Sequence, residues 1–303
     1  MINTAKNTCY SFYFNLIFRN FSHVTKLFVT FVTNKSNFQN QTFMKRLILI
    51  TTLILLSVQL TAQDKYYLVF EFMQVDNEQD AAYMETENFW EKIHAQRVKN
   101  GDIIGWDLWA LQPGGEKQGA QYMVVHVYDD PVKMMSGAGD WNAARKAAYP
   151  NMSDEDVTKH MQQDVKNRDL AYILYLEMVA HTKGDFDMPL GTVAAINMMR
   201  ATDMDFDSYE KAETEVFMPW HQQAVDRGDR GSWELLRIMV PYGSDTYATH
   251  ITADMYKDYA QMFGPGNPDA PQPTDEQMKK MQEALKTRDM KSSYVARLIK
   301  KVR

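Results

Sequence analysis

Three histidines and a set of acids decide what chemistry this chain could do. His94 ends the stretch Trp90-Glu91-Lys92-Ile93-His94, and His221 follows Trp220. Counted from each of these two histidines, a Val stands at +4, a Gly at +7, a Trp at +12 and a Leu at +14. Near neutral pH a histidine serves as acid, base or metal ligand, so His94 and His221, with His126 from an alternating apolar stretch, are the candidate catalytic groups. A structural reading stands beside this one. Each helix histidine would pack on Trp106 or Trp233 and donate to a nearby backbone carbonyl, because both copies need the same helix-to-strand corner. Glu91 and His94 form a Glu-x-x-His pair of the kind seen in carboxylate metal sites. The second copy has Met218 at the Glu position, so no metal is expected.

Strand alternation supplies the second set. Leu68, Phe70 and Phe72 form the more apolar row of one strand, and Leu174, Leu176 and Met178 that of another. If those rows lie under helices, the opposite rows face the space between two sheets. Aligning the copies on Tyr83 and Tyr209 pairs Glu71 with Asn197, and aligning them on Arg168 and Arg288 pairs Glu177 with Arg297. Glu71, Glu177, Asn197 and Arg297, with Trp106 and Trp233, are therefore the expected ligand-binding residues. They would suit a small polar or aromatic molecule, one bearing a carboxylate included. An Arg297–carboxylate pair that satisfies itself is the structural alternative. On the same alternation His126 faces the cavity and His250 the opposite way.

The elements that must hold these residues follow from period and punctuation. Strands are expected over 66–73, 103–111, 122–128 and 172–179, with helices over 80–99, 132–148 and 153–169. A linker over 183–189 precedes a second pass through the same order, with Pro219 kinking its first helix or marking a break in it and a Thr274-to-Gln277 capping pattern on its last. The order β-α-β-β-α-β is the split arrangement of ferredoxin-like domains, here run twice, over 64–183 and 190–303. The fold class is α+β: two ferredoxin-like repeats packed sheet to sheet, so that each covers the other's bare face. In element order and duplication, over about 240 residues, the chain resembles the dimeric α+β-barrel superfamily. That resemblance implies an eight-stranded, pseudo-dimeric barrel with a cavity between the sheets. It also implies a choice among haem enzymes, cofactor-free monooxygenases, degradative isomerases and members without known activity. No cofactor is expected from the residues themselves; haem is the one the resemblance leaves open, with His94, His126 or His221 as axial ligand.

Composition bounds the rest. The first 62 residues hold six basic residues and no Asp or Glu; 33 Lys and Arg less these six leaves 27 against 39 Asp and Glu, a net of −12 beyond them. Such a surface disfavours nucleic acid. Residues 44–62, a charged start followed by an apolar run, read as a signal peptide. Met44 is then the expected true start, with 1–43 a disordered leader, and the protein is exported, periplasmic or extracellular, with no membrane contact after cleavage. The single Cys, Cys9, lies in that leader, which excludes disulfides and thiol chemistry from the remainder. Phosphate-loop, dinucleotide and serine-elbow motifs are absent. A small-molecule ligand, on a monomer or weak homo-oligomer, is the leading expectation. An oxidative or isomerising barrel enzyme comes second, and an interaction module docking through the acidic helices third.

Overall fold

The computed structural model describes residues 65–303 apart from 115, 116 and 118. The leader and signal segments, 1–43 and 44–62, lie outside the described residues. Eight antiparallel strands, β1 (Tyr67–Gln74), β2 (Gly105–Gln112), β3 (Tyr122–Tyr128), β4 (Asp169–His181), β5 (Val193–Ala201), β6 (Ser232–Val240), β7 (His250–Tyr256) and β8 (Arg288–Val302), close into one barrel. The order around it is β1-β3-β2-β8-β5-β7-β6-β4. Read from β4 the first half runs β4-β1-β3-β2, and from β8 the second runs β8-β5-β7-β6, the same pattern. The halves join edge to edge through the β2·β8 and β4·β6 ladders. Closure of this kind leaves no unpaired strand edge.

Helices cover the outside. In the first half these are α1 (Asp80–Asn100), α2 (Pro131–Ser136), α3 (Trp141–Ala148) and α4 (Asp154–Asn167). In the second they are α5 (Phe206–Ala212), α6 (Met218–Asp226), α7 (Tyr259–Phe263) and α8 (Asp275–Leu285). The helix expected over 132–148 is two helices. Gly137 takes φ 74° to end α2, and the Asp140 carboxylate caps α3 by accepting from Ala143 N. A left-handed φ favours Gly because it has no Cβ to clash. The break expected at Pro219 is a π-helical turn, Glu213–Phe217, joining α5 to α6, and Pro219 sits in the first turn of α6, where its missing N–H costs nothing. That turn adds one residue. Tyr209 and Glu213 lie 126 residues after Tyr83 and Glu87, whereas His221 and Trp233 lie 127 after His94 and Trp106. A π-bulge is the local form of a single-residue insertion in a helix.

The expected facing of the strands is inverted. Leu68, Phe70, Phe72, Leu174 and Leu176 fill the lumen together with Trp109, Met123, Val125, Ile196 and Leu236. Glu71, Glu177, Asn197 and His126 face outward, towards the helices or the rim between them. A closed barrel sees only its own side chains, so it takes the more apolar row, each such side chain contributing about 1.5–3 kcal/mol on burial. The helix-facing row borders solvent at the helix ends and can hold charge. The parity drawn for His250 is corrected too: it faces outward like His126, against Glu210 and Tyr209.

Candidate functional site

Between α1 and the first-half sheet lies a cavity of about 420 Å³, roofed by α2 and the start of α3. It gathers Glu71, Trp106 and His126 from the sheet, His94 and Arg97 from α1, and Trp141 from α3. Four of the residues expected to carry function thus meet in one place, under a helix rather than between two sheets.

The His94 ring lies flat on Trp106, centroids 5.1 Å apart at 16°, with Trp90 and Trp141 around it. The Arg97 guanidinium sits over the Trp141 ring at 3.8 Å and donates to the Gly137 carbonyl at 3.0 Å. Arg97 Nη1 also approaches His94 Nδ1 at 3.5 Å. Burial, then His126 and Arg97, hold His94 well below the ordinary imidazole range, so the ring is neutral. With Nδ1 facing a guanidinium donor, its proton belongs on Nε2. Packing on tryptophan, one of the two expectations for His94, is therefore what the structure shows. The partner is Arg97 instead of a backbone carbonyl.

His126 stands across the ring edge of His94, centroids 4.9 Å apart at 74°. Its Nε2 lies 3.6 Å from Glu71 Oε2, within ion-pair range. Burial pushes the Glu71 carboxyl up, but His126, Arg168 and Arg97 outweigh it, so its ionised form is favoured. A carboxylate facing Nε2 favours the tautomer with the proton there, leaving Nδ1 as an acceptor. Three buried polar atoms of this cavity's lining have no hydrogen-bond partner: His126 Nδ1, Trp106 Nε1 and Arg97 Nε. Buried polar atoms are nearly always satisfied, so these three are exceptions gathered in one cavity. Below them Glu87 pairs with Arg168, and burial, against the pull of Arg168, raises the Glu87 carboxyl to about 7.

The matching place in the second half is filled by its own side chains. His221 lies flat on Trp233 at 4.7 Å and 8°. Arg230 donates to its Nδ1 and pairs with Asp254 at 2.6 Å. Burial and Arg230 lower His221 to about 3. Asn197, opposite the Glu71 position, donates to Thr252 and Asp254 and accepts from Ser293. Asp254 therefore occupies the place of His126, and a salt bridge stands where the first half has an open pair. Glu213 with Arg288 repeats Glu87 with Arg168.

The other expected residues lie elsewhere. Glu177 binds Lys65 at 2.6 Å and Arg237 at 2.9 Å on the outer seam between β4 and β6, where Arg237 also clamps Glu210. Arg297 is exposed on β8 and joins neither cluster. A self-satisfied arginine–carboxylate pair does form, with Arg237 as its cation. Glu91 bonds Lys300 at 2.8 Å, so it and His94 do not converge. Among the described residues no group of three or more His, Cys, Asp or Glu could hold a metal.

The same geometry bears on haem. An axial histidine must offer a nitrogen to a flat apolar slot. The space before His94 and His126 is bounded by Glu71, Glu87, Arg97 and Arg168, while the Nδ1 atoms of His94 and His221 face Arg97 and Arg230. His94 and His221 therefore do not present Nδ1 to a haem.

No protein-family model and no curated protein matches the chain. Solved structures do. A candidate monooxygenase of Fusobacterium nucleatum superposes with a TM-score of 0.50 at 8% identity, over 80% of this chain and 95% of that one. The likeness is one of fold. This is the α+β barrel. A second candidate monooxygenase, from Lactobacillus acidophilus, gives 0.46 at 12% identity over 79% and 96%. A heme-binding protein from Thermus thermophilus gives 0.42 at 9% over 78% and 91%.

Proposed function

We propose that the cavity beneath α1 binds a small aromatic molecule carrying an ionisable oxygen, a phenol or enol. The observation that carries this is the set of unpartnered polar atoms at His126, Trp106 and Arg97 inside an aromatic wall. Trp106 and Arg97 can only donate there, and His126 Nδ1, backed by Glu71, accepts. A hydroxyl donating to His126 and accepting from the other two satisfies all three. The tryptophans supply flat apolar contact.

The Glu71–His126 pair also favours an enzymatic reading. A histidine oriented by a carboxylate abstracts a proton, and the donors beside it stabilise the oxyanion left behind. Binding is required by both readings, so 4-nitrophenol tests both, since its absorbance reports ionisation. At pH 6 the bound probe should turn yellow, and His126→Ala should abolish the colour.

Two further parts belong to this proposal. The barrel is read as two ferredoxin-like repeats, supported by the matched strand orders and by paired Tyr–Glu–Arg sets in each half. Export through the segment 44–62 is the second part. Among the described residues no helix is long and apolar enough to cross a membrane.

A further inference from the structure

The lumen holds a second cavity, of about 820 Å³, opening at the barrel end covered by the chain over 183–189. Its body is apolar, walled by Phe70, Trp109, Met123, Leu236 and Met255. Two carboxylates enter it from matched positions: Asp107 follows Trp106 on β2, and Glu234 follows Trp233 on β6.

Their surroundings differ. Asp107 is buried and held by both terminal nitrogens of Arg303, at 2.8 Å each. Glu234 has no such cation: among the described residues no hydrogen bond or ion pair reaches its carboxylate. The other cations at the mouth are committed, Lys65 to Glu177 and Lys301 to Asp187. His181 lies opposite Glu234 on the ladder, turned into the lumen by a bulge in β4 between Met178 and Ala180. Its Nδ1 lies 2.9 Å from the Thr182 carbonyl, to which it donates.

We infer that the lumen is a second small-molecule site, taking an amphipathic amine whose ammonium pairs with Glu234 and whose apolar body lies against Trp109 and Met123. An isolated carboxylate in an apolar cavity is costly until a cation joins it. The one charge here without a counter-ion is negative. Burial, then Asp107, push the Glu234 carboxyl up to about 7, with Arg303 opposing. The groups facing it are Asp107, Arg303 and His181. Amine binding must therefore release the Glu234 proton, and affinity must rise with pH.

The test uses 2-phenylethylamine and its neutral analogue 2-phenylethanol, followed by calorimetry at pH 6 and pH 8. The amine should bind about tenfold more tightly at pH 8 than at pH 6 and more tightly than the alcohol at pH 8. Glu234→Gln should remove both differences, and Ala253→Phe, which narrows the lumen, should abolish binding. His126→Ala should leave amine binding intact, which separates this site from the one beneath α1. The inference is overturned by pH-independent amine binding, by equal binding of the alcohol at pH 8, by no binding of the amine, or by binding that survives Ala253→Phe.

Discussion

His126 Nε2 stands 3.6 Å from Glu71 Oε2, while the opposite nitrogen of the same ring is buried with no partner. In the proposed binding mode that nitrogen accepts from the ligand hydroxyl. Glu71→Gln keeps the shape and removes the charge that sets the tautomer. It should weaken phenol binding at least tenfold, with a stability change within about 1 kcal/mol. Paired calorimetric titration and thermal unfolding of the two proteins check this.

His94 and His221 behave differently. Each is a flat ring packed between a tryptophan and an arginine, so truncation removes a filled volume. His94→Ala and His221→Ala should each cost about 2–4 kcal/mol. Urea unfolding measures the cost. His221→Ala should leave phenol binding unchanged, since its half is closed by Arg230 and Asp254.

The Glu87 and Glu213 carboxylates are buried beside Tyr83 and Tyr209, and each pairs with a half-buried arginine, Arg168 or Arg288, one set in each half. Removing one partner strands the other charge in a dry place. Arg168→Met and Arg288→Met should each destabilise by about 3–5 kcal/mol, and a double Glu87→Leu, Arg168→Met variant should recover most of the loss. Chemical denaturation of the three variants reads this directly.

Stability against pH carries a sign for each shifted group. Glu234, raised to about 7, keeps its proton in the folded state while the unfolded chain loses it from pH 4.5 upward. Its contribution is fully present below pH 4.5 and is lost as pH rises to 7. His94 and His221, lowered, act in the opposite direction, since the unfolded chain binds protons there below pH 6.5 that the native state refuses. The difference in stability between Glu234→Gln and the wild type should therefore grow from pH 4.5 to 7, by up to about 3 kcal/mol. Thermal unfolding across that range measures it.

Much of this molecule was legible in its sequence. Element order and the matched His–Trp spacing depend on local rules: period, caps and breakers. The facing of the strands was not legible. Alternation in β1 separates Leu68, Phe70 and Phe72 from Tyr67, Val69 and Glu71, but it cannot say which row meets helices. That depends on whether the sheets close. Glu71, Trp106 and His126 still came together, because the three share the outward parity, and α1, which covers that face, brings His94 to them. Glu234 was missed although its cue was present: the residue at +13 from each helix histidine is acidic, Asp107 in one copy and Glu234 in the other. His181 had no sequence cue, since only the bulge in β4 moves it to the lumen side.

The most direct test follows the six indole N–H signals of nitrogen-15-labelled protein during titration with 4-nitrophenol. Trp106, identified by its loss in Trp106→Phe, should move downfield and saturate together with the yellow absorbance, while Trp233 stays in place. A Trp106 signal that does not move at millimolar probe, or a Trp233 signal that moves equally, would contradict a binding site beneath α1.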